Sequence, residues 1–371
     1  MRRAGPTSTP TLCDIETRSR GPRVTDMSDH LPERYFREVE NAFLEAEARA
    51  GVREISLLLA GRRIRIRAAG DGVLARIAST LAHLETGNED PVDFTICCWD
   101  ENTAPRKLRL PTRRMTDQAV YCCIPILTDR RFRTFYIEWL GILTCVDIGS
   151  NTAYCSYADA ERLLMYEISA PLRPIFNIIL NQMGMQMVHA SAVGCPSGSL
   201  LFAGPPGSGK STLAVLCLQD GLSYQADDIC VLGSEQQPRS LSLYNIAKLR
   251  DDALPRFESL HPILCHFQEE HDEMKSFFYV HQHFPGQVLK EAPVRGLILP
   301  RVTGESSSRL ERAAPLEAVR GLISWTIREI PKSDALGERL MLQSLTRIPA
   351  YHLHVGRDDR QTLSLIRNLL E

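Results

Sequence analysis

A chain of 371 residues is longer than one compact core usually serves and long enough for two domains. Hydrophobic residues make up 44% and charged residues 24%, a balance that excludes global disorder, collagen and coiled coil. Lys plus Arg number 43 against 45 Asp plus Glu, a formal net charge of -2, so the chain lacks the overall basic field of a dedicated nucleic-acid binder.

The first 26 residues hold five arginines and no apolar h-region. Residues 1–30 therefore read as a disordered tail rather than a signal peptide, with Met27 as an alternative start. From Pro32 to Gly51 the residues Tyr35, Phe36, Val39, Phe43 and Leu44 recur at helical spacing and predict an amphipathic helix. A hairpin follows: Glu54 to Leu59 is an apolar run, Gly61-Arg62 is a turn, and Arg63 to Arg67 alternates like a half-buried strand. Arg63, Arg65 and Arg67 form a solvated strand face, or the sharper alternative, a face for an anionic partner. Gly72 to Leu84 predicts a second helix. Short β-rich runs follow at Asp93 to Trp99, Ala119 to Ile126 and Thr134 to Ile148.

Eleven cysteines are scattered without C-x2-C spacing, an odd count that fits neither a zinc knuckle nor a secreted disulfide framework. Cys97-Cys98 and Cys122-Cys123 sit inside apolar runs, where a thiol behaves as a small hydrophobe. The apolar stretches Phe135 to Ile148 and Pro171 to Val193 are interrupted by charged or amide residues, short of the ~20 apolar residues of a membrane span. Reduced thiols and no span predict a cytoplasmic protein with no membrane partner.

Pro171 and Pro174 suit the first turn of a helix whose stripe Leu172, Ile175, Phe176, Ile179 and Met183 runs to a C-cap at Gly184. Then the pattern changes. Met187 to Val193 reads as a strand, Cys195 to Ser199 as a turn, and Ser199 to Ala203 as a second strand. A glycine-rich loop, a helix over Lys210 to Gln219 ended by Gly221, and strands at Leu222 to Ala226 and Ile229 to Leu232 complete an α/β unit.

The loop Gly204-Pro205-Pro206-Gly207-Ser208-Gly209-Lys210-Ser211 satisfies G-x-x-x-x-G-K-[ST]. Glycine permits the backbone to turn its amide N–H groups toward phosphate oxygens, and the helix N-terminus behind them favours the same anion. Lys210 is assigned to the β- and γ-phosphates and Ser211 to Mg²⁺, with Thr212 a further hydroxyl in the first turn. Asp227-Asp228 follows the expected strand Leu222 to Ala226, whose end, if parallel to the one feeding the loop, would place the pair beside the γ-phosphate. One carboxylate there can hold Mg²⁺ while the other accepts the proton of an attacking hydroxyl. His189, on the expected strand before the loop strand, is placed to face the phosphates.

The order His189-Ala190, Leu200 to Thr212, then Gly221 through Asp228 resembles the HPr kinase/phosphorylase family and the broader set of HPr-kinase-like serine kinases. That family is similar in its nucleotide core to phosphoenolpyruvate carboxykinases. The resemblance implies Asp227 as catalytic acid/base, Asp228 as its Mg²⁺-proximal partner, and His189 near the transferred phosphoryl group. It continues more loosely through Leu243 to Leu249, Met274-Lys275-Ser276 and Leu299-Pro300-Arg301, which supply cations. The chain before the loop does not match the N-terminal domain of true HPr kinases, and no signature region for the protein substrate follows Leu232.

The expected fold class is an α/β P-loop domain of the HPr kinase/PEP-carboxykinase-like type over residues 186–371. A separate α+β domain over residues 31–185, assigned by its position to acceptor recognition, precedes it. The expected activity is phosphoryl transfer from ATP, with Mg²⁺, to a hydroxyl of a peptide, protein or small molecule, serine first among them. Family likeness adds a homo-oligomer. The alternative is a module that senses or assembles around ATP or GTP without a phosphoacceptor, since fold does not fix function. Arg295, Arg301 and Arg320 are not assignable as an arginine finger from sequence.

Overall fold

A computed structural model describes residues 30–88, 91–104, 107–110, 122–233, 237–267, 275–330 and 345–371. The expected N-terminal tail, Met274, and the start of the Ala119 to Ile126 run lie outside the described residues.

The first half is an eight-stranded sheet with helices against it. The amphipathic helix α1 (Leu31–Ala50) packs Tyr35, Phe36, Val39 and Phe43 inward, as their spacing requires. The hairpin β1 (Val52–Leu59) and β2 (Arg62–Ala69) turns at Ala60-Gly61, both at positive φ. The charges of β2 are spent locally: Arg67 binds Glu47 at 2.5 Å and Glu54 at 2.7 Å, and Arg65 lies 4.0 Å from Glu54. Helix α2 (Gly72–Leu81) crosses over to β4 (Phe94–Asp100), which pairs parallel with β2, while the short β3 (Glu85–Thr86) borders β1.

The Thr134 to Ile148 run is two strands, β6 (Phe132–Ile137) and β7 (Ile142–Asp147), because Gly141 at φ 61 turns the chain between them. Before them, β5 (Cys122–Cys123) pairs antiparallel with β6. The strand β8 (Thr152–Tyr157), which periodicity did not single out, lies between β4 and β7 in the middle of the sheet. Two short helices follow, α3 (Met165–Ile168) and α4 (Arg173–Gln182).

The second half begins with a correction. Met187 to Val193 is not one strand: β9 (Met185–Val188) and β10 (Ser191–Cys195) are separated by a bend at His189. The two pieces bond to different neighbours, β9 to β13 (Cys230–Gly233), and β10 to β11 (Gly198–Phe202) and β12 (Ser223–Ala226), so the chain must turn a corner between them. His189 therefore sits in the bend and not on a strand. Helix α5 (Lys210–Gln219) starts and stops where its glycine signals placed it, and Gly221 has φ 88.

Next come β14 (Arg239–Leu241), β15 (Ile246–Arg250), β16 (Cys265–Phe267), β17 (Lys275–Tyr279) and α6 (Val280–His283). The chain closes with β18 (Glu291–Val302), β19 (Arg309–Arg312), α7 (Pro315–Glu329), β20 (Ala350–Val355) and α8 (Asp359–Arg367). Nine strands form the second sheet, along the path β12-β10-β11-β18-β14-β13-β9 with β20 and β19 attached. Strands β11, β18 and β20 pair in parallel, and β15, β17 and β16 make a separate three-stranded sheet.

One apolar core joins the halves. Leu57, Ile64 and Ile96 of the first sheet share it with Ile175 and Phe176 of α4 and with Val231, Leu241 and Tyr244. A buried polar knot lies beside that core: His83 Nε2 meets Ser242 Oγ at 2.9 Å, and Asn245 Nδ2 meets His83 Nδ1 at 3.2 Å. Among the described residues no helix is long and apolar enough to cross a membrane.

Burial, with His281 and Lys290 nearby, pushes the His83 imidazole down to about 3. The unfolded chain protonates this group near pH 6.5 and the folded chain does not, so its stabilising contribution is complete above that pH and is lost as pH falls. Between pH 7.5 and 5, wild type is expected to lose ~2 kcal/mol more unfolding free energy than His83→Gln. Urea titrations at the two pH values check this, and parallel losses would refute it.

Candidate active site

Strand register brings the site together. Strands β12 and β11 are each antiparallel to β10, so they run in the same direction and their carboxyl ends emerge on one edge. Ser191 pairs with Phe202 and Ala192 with Ala226, so the two ends lie level. Phe202 leads into the glycine-rich loop and Ala226 into Asp227-Asp228. The bend carrying His189 enters β10 at the same edge. Ligands of open α/β sheets bind outside the carboxyl ends of parallel strands, which is where these groups collect.

The loop adopts the conformation its glycines allow. Gly204 has φ 142 and Gly209, at the N-cap of α5, has φ 98. A side chain at Gly209 would be strained at that φ and would crowd the Val302 side chain at the end of β18, 3.2 Å away. Pro205, Pro206 and Gly207 are exposed, while Ser208 and Gly209 are half-buried. Lys210 is only 6% exposed, and its Nζ donates to the carbonyls of Gly204 at 2.9 Å and Pro205 at 3.0 Å. Burial pulls its ammonium below the ordinary lysine value, against the opposing pull of Asp228 and Asp227. Ser211 and Thr212, in the first turn of α5, are half-buried.

Asp227 is the hub. Its Oδ1 accepts from Ser191 Oγ at 2.6 Å, from Ser211 Oγ at 2.8 Å and from the Asp228 amide at 3.1 Å. Its Oδ2 accepts the Lys248 amide at 3.3 Å. Burial and the Asp228 charge raise its carboxyl above the ordinary range, and the two serine donors and Lys248 oppose them. Asp228 occupies the left-handed region at φ 65, a conformation Asp tolerates better than most residues, and its Oδ2 is held by Lys248 Nζ at 2.5 Å.

His189 is half-buried. Its amide donates to Thr326 Oγ1 on α7 at 3.0 Å, and its Nδ1 meets no hydrogen-bond partner among the described residues. Burial lowers the imidazole to about 4. Asp228 pulls it up, while Lys210, Lys248 and Arg173 press it further down, so it is neutral at pH 7. Arg173, in the first turn of α4, is 4% exposed; its guanidinium lies 4.3 Å over the Tyr166 ring and donates to Tyr166 Oη at 2.9 Å.

The structure thus gathers Gly204 through Thr212, His189, Asp227 and Asp228, the residues singled out from sequence. It adds Ser191, Arg173 and Thr326, which sequence reasoning missed. Ser191 carried a faint signal, two residues after His189 and one strand from the loop. Arg173 gave only the reading of a charge interrupting an apolar stretch. Lys248 was among the expected cations; its partner was not legible.

Among the described residues no cluster of three or more His, Cys, Asp or Glu side chains forms a preformed metal cage. Mg²⁺ does not require one, because it is commonly held by one or two carboxylates together with substrate phosphates and water. A buried carboxylate joined to the loop serine is a donor set that fits it.

No family profile matches the chain, and no curated protein matches it. Among solved structures it is similar to the Hpr(Ser) kinase/phosphatase from Coxiella burnetii, at 14% identity over 49% of this chain and 89% of that one, with a TM-score of 0.26. So small a TM-score leaves the functional reading to the site residues.

Ser191→Ala removes one of the hydroxyl donors to a buried carboxylate, and hydrogen bonds to charged groups are worth about 1.5–3 kcal/mol. The bond favours the ionised form, so the substitution is expected to cost up to ~2 kcal/mol, and more at pH 8 than at pH 5. Denaturant unfolding at both values checks the sign; a cost independent of pH would contradict it.

Proposed function

We propose that the protein transfers the terminal phosphoryl group of a purine nucleoside triphosphate, ATP in the first instance, to a hydroxyl acceptor, with serine of a peptide or protein as the leading class. The observation that carries this reading is the 2.8 Å bond from Ser211 of the phosphate loop to Asp227, with Asp228 and Lys248 beside it. A binding loop alone would serve a switch or a catalyst equally. A second carboxylate next to the one that meets the loop serine supplies the proton acceptor that transfer to an alcohol needs.

The loop amides from Gly204 to Gly209 and the N-terminus of α5 bind the phosphates, with Thr212 behind them. Lys210 exchanges its two carbonyl partners for β- and γ-phosphate oxygens. Ser211 and Asp227 would hold Mg²⁺, which when bound neutralises charge on those oxygens. Asp228 accepts the acceptor's proton as the new oxygen–phosphorus bond forms and the bond to the leaving diphosphate breaks. These assignments exchange the aspartate roles that the family resemblance implied. Support comes from the contacts: Asp227 meets the serine of the loop, and Asp228 meets a lysine that can stabilise its charged form. Neutral His189 offers a hydrogen bond to the transferred group without adding charge.

The acceptor class, the homo-oligomer suggested by family likeness and the cytoplasmic location belong to this proposal as well. Incubating the protein with γ-labelled ATP, Mg²⁺ and a pool of serine peptides tests the activity. Asp228→Asn is expected to slow transfer by about 100-fold or more, the range lost with a general base, with nucleotide affinity changed by less than about threefold. Lys210→Met is expected to weaken nucleotide binding itself. Full transfer by Asp228→Asn would overturn the assigned role, and tight nucleotide binding with no transfer to any acceptor would favour the regulatory module instead.

A further inference from the structure

Asn245 is fully buried, and each of its polar groups is engaged. Its Nδ2 donates to the carbonyls of Ser79 at 2.9 Å and Thr80 at 2.8 Å, and its amide N–H also reaches the Thr80 carbonyl at 3.0 Å. Its Oδ1 accepts the His281 amide at 3.1 Å and its carbonyl accepts the Val280 amide at 2.8 Å. Ser79 and Thr80 lie in the last turn of α2, where backbone carbonyls lack partners within the helix and the helix dipole is negative. A residue of the second half therefore caps a helix of the first half. Ser242 and His83 form a second layer around the same junction.

The strand β15 begins at the next residue, and Lys248 lies three positions along it. Lys248 is bonded through its side chain to Asp228 and through its amide to Asp227. Three residues of extended chain span only about 10 Å, too short and stiff for slack to absorb a shift at one end. We propose that Asn245 is a positioning residue: by fixing β15 on the end of α2 it holds Lys248 against the aspartate doublet, so the first half of the chain sets the geometry of the phosphoryl-transfer site. The consequence for catalysis rests on the kinase reading above; the mechanical link does not.

The experiment compares the full-length wild type with Asn245→Ala, Lys248→Met and the double variant by amide hydrogen exchange over residues 246–250, affinity for a fluorescent ATP analogue with Mg²⁺, and transfer to the serine-peptide pool. Asn245→Ala is expected to speed exchange in that segment by about tenfold or more. It should slow transfer by about 10- to 100-fold, since small misplacements remote from the chemistry carry such losses, with nucleotide affinity within about threefold. The double variant should transfer no more slowly than Lys248→Met alone, because both substitutions break the same link. Should Asn245→Ala not fold, Ser242→Ala, one bond further out, gives the same readouts with smaller changes in the same direction. Unchanged exchange at 246–250, or a transfer loss that adds to that of Lys248→Met, would overturn the inference. A wild type that phosphorylates nothing would defeat the kinase reading, while the exchange measurement still decides whether Asn245 holds β15.

Discussion

Two strand ends that are far apart in the chain meet through one carboxylate. Asp227, just past the end of β12, takes hydrogen bonds from Ser211 at the end of the glycine-rich loop and from Ser191 of the intervening strand. That convergence places constraints on everything around it. The strands must run in the same direction, their ends must lie level, and the strand between them must start at the same edge. The pairing of Ser191 with Phe202 and of Ala192 with Ala226 meets all three conditions. A shift of one residue in either pairing would turn Ser191 or Asp227 to the opposite face and separate the loop from its carboxylate.

Charge is distributed around that hub with little excess of one sign. Lys210, Lys248 and Arg173 lie within electrostatic reach of His189, as does Asp228, with Asp227 adjacent. Burial keeps His189 neutral, which leaves three cations facing two carboxylates. Buried charges are tolerated when paired, and each aspartate has its donors. The cations are themselves engaged: Lys210 with the Gly204 and Pro205 carbonyls, Lys248 with Asp228, and Arg173 with Tyr166.

The first half of the chain contributes more than coverage. Its helix α2 is capped from the other half by Asn245, and its sheet shares a core with Val231 and Leu241. Apolar packing supplies most of the adhesion, since it scales with buried area and has no direction. The polar junction adds direction: an amide that caps one helix end fits a single arrangement. The arginines of β2, by contrast, are matched locally: Arg67 with Glu47 and Glu54, and Arg62 with Asp93.

The sequence by itself determined the pieces whose cause is local. Helical spacing located α1 and α4, turn glycines bounded α5, and the glycine-rich loop from Gly204 to Ser211 was visible because its residues are consecutive. The doublet Asp227-Asp228 was legible for a similar reason, as adjacent acids between apolar strand residues. What sequence could not supply is whatever depends on which strand lies beside which. An apolar run gives no sign that the chain turns a corner at His189, because β9 and β10 are equally buried and differ only in their partners. Ser191, Arg173 and Asn245 look ordinary in a linear reading. Only tertiary structure decided that one donates to the hub, one lies near His189 and one caps a helix from 165 residues away, because hydrogen bonds and charges act over a few ångströms of space and take no account of distance along the chain.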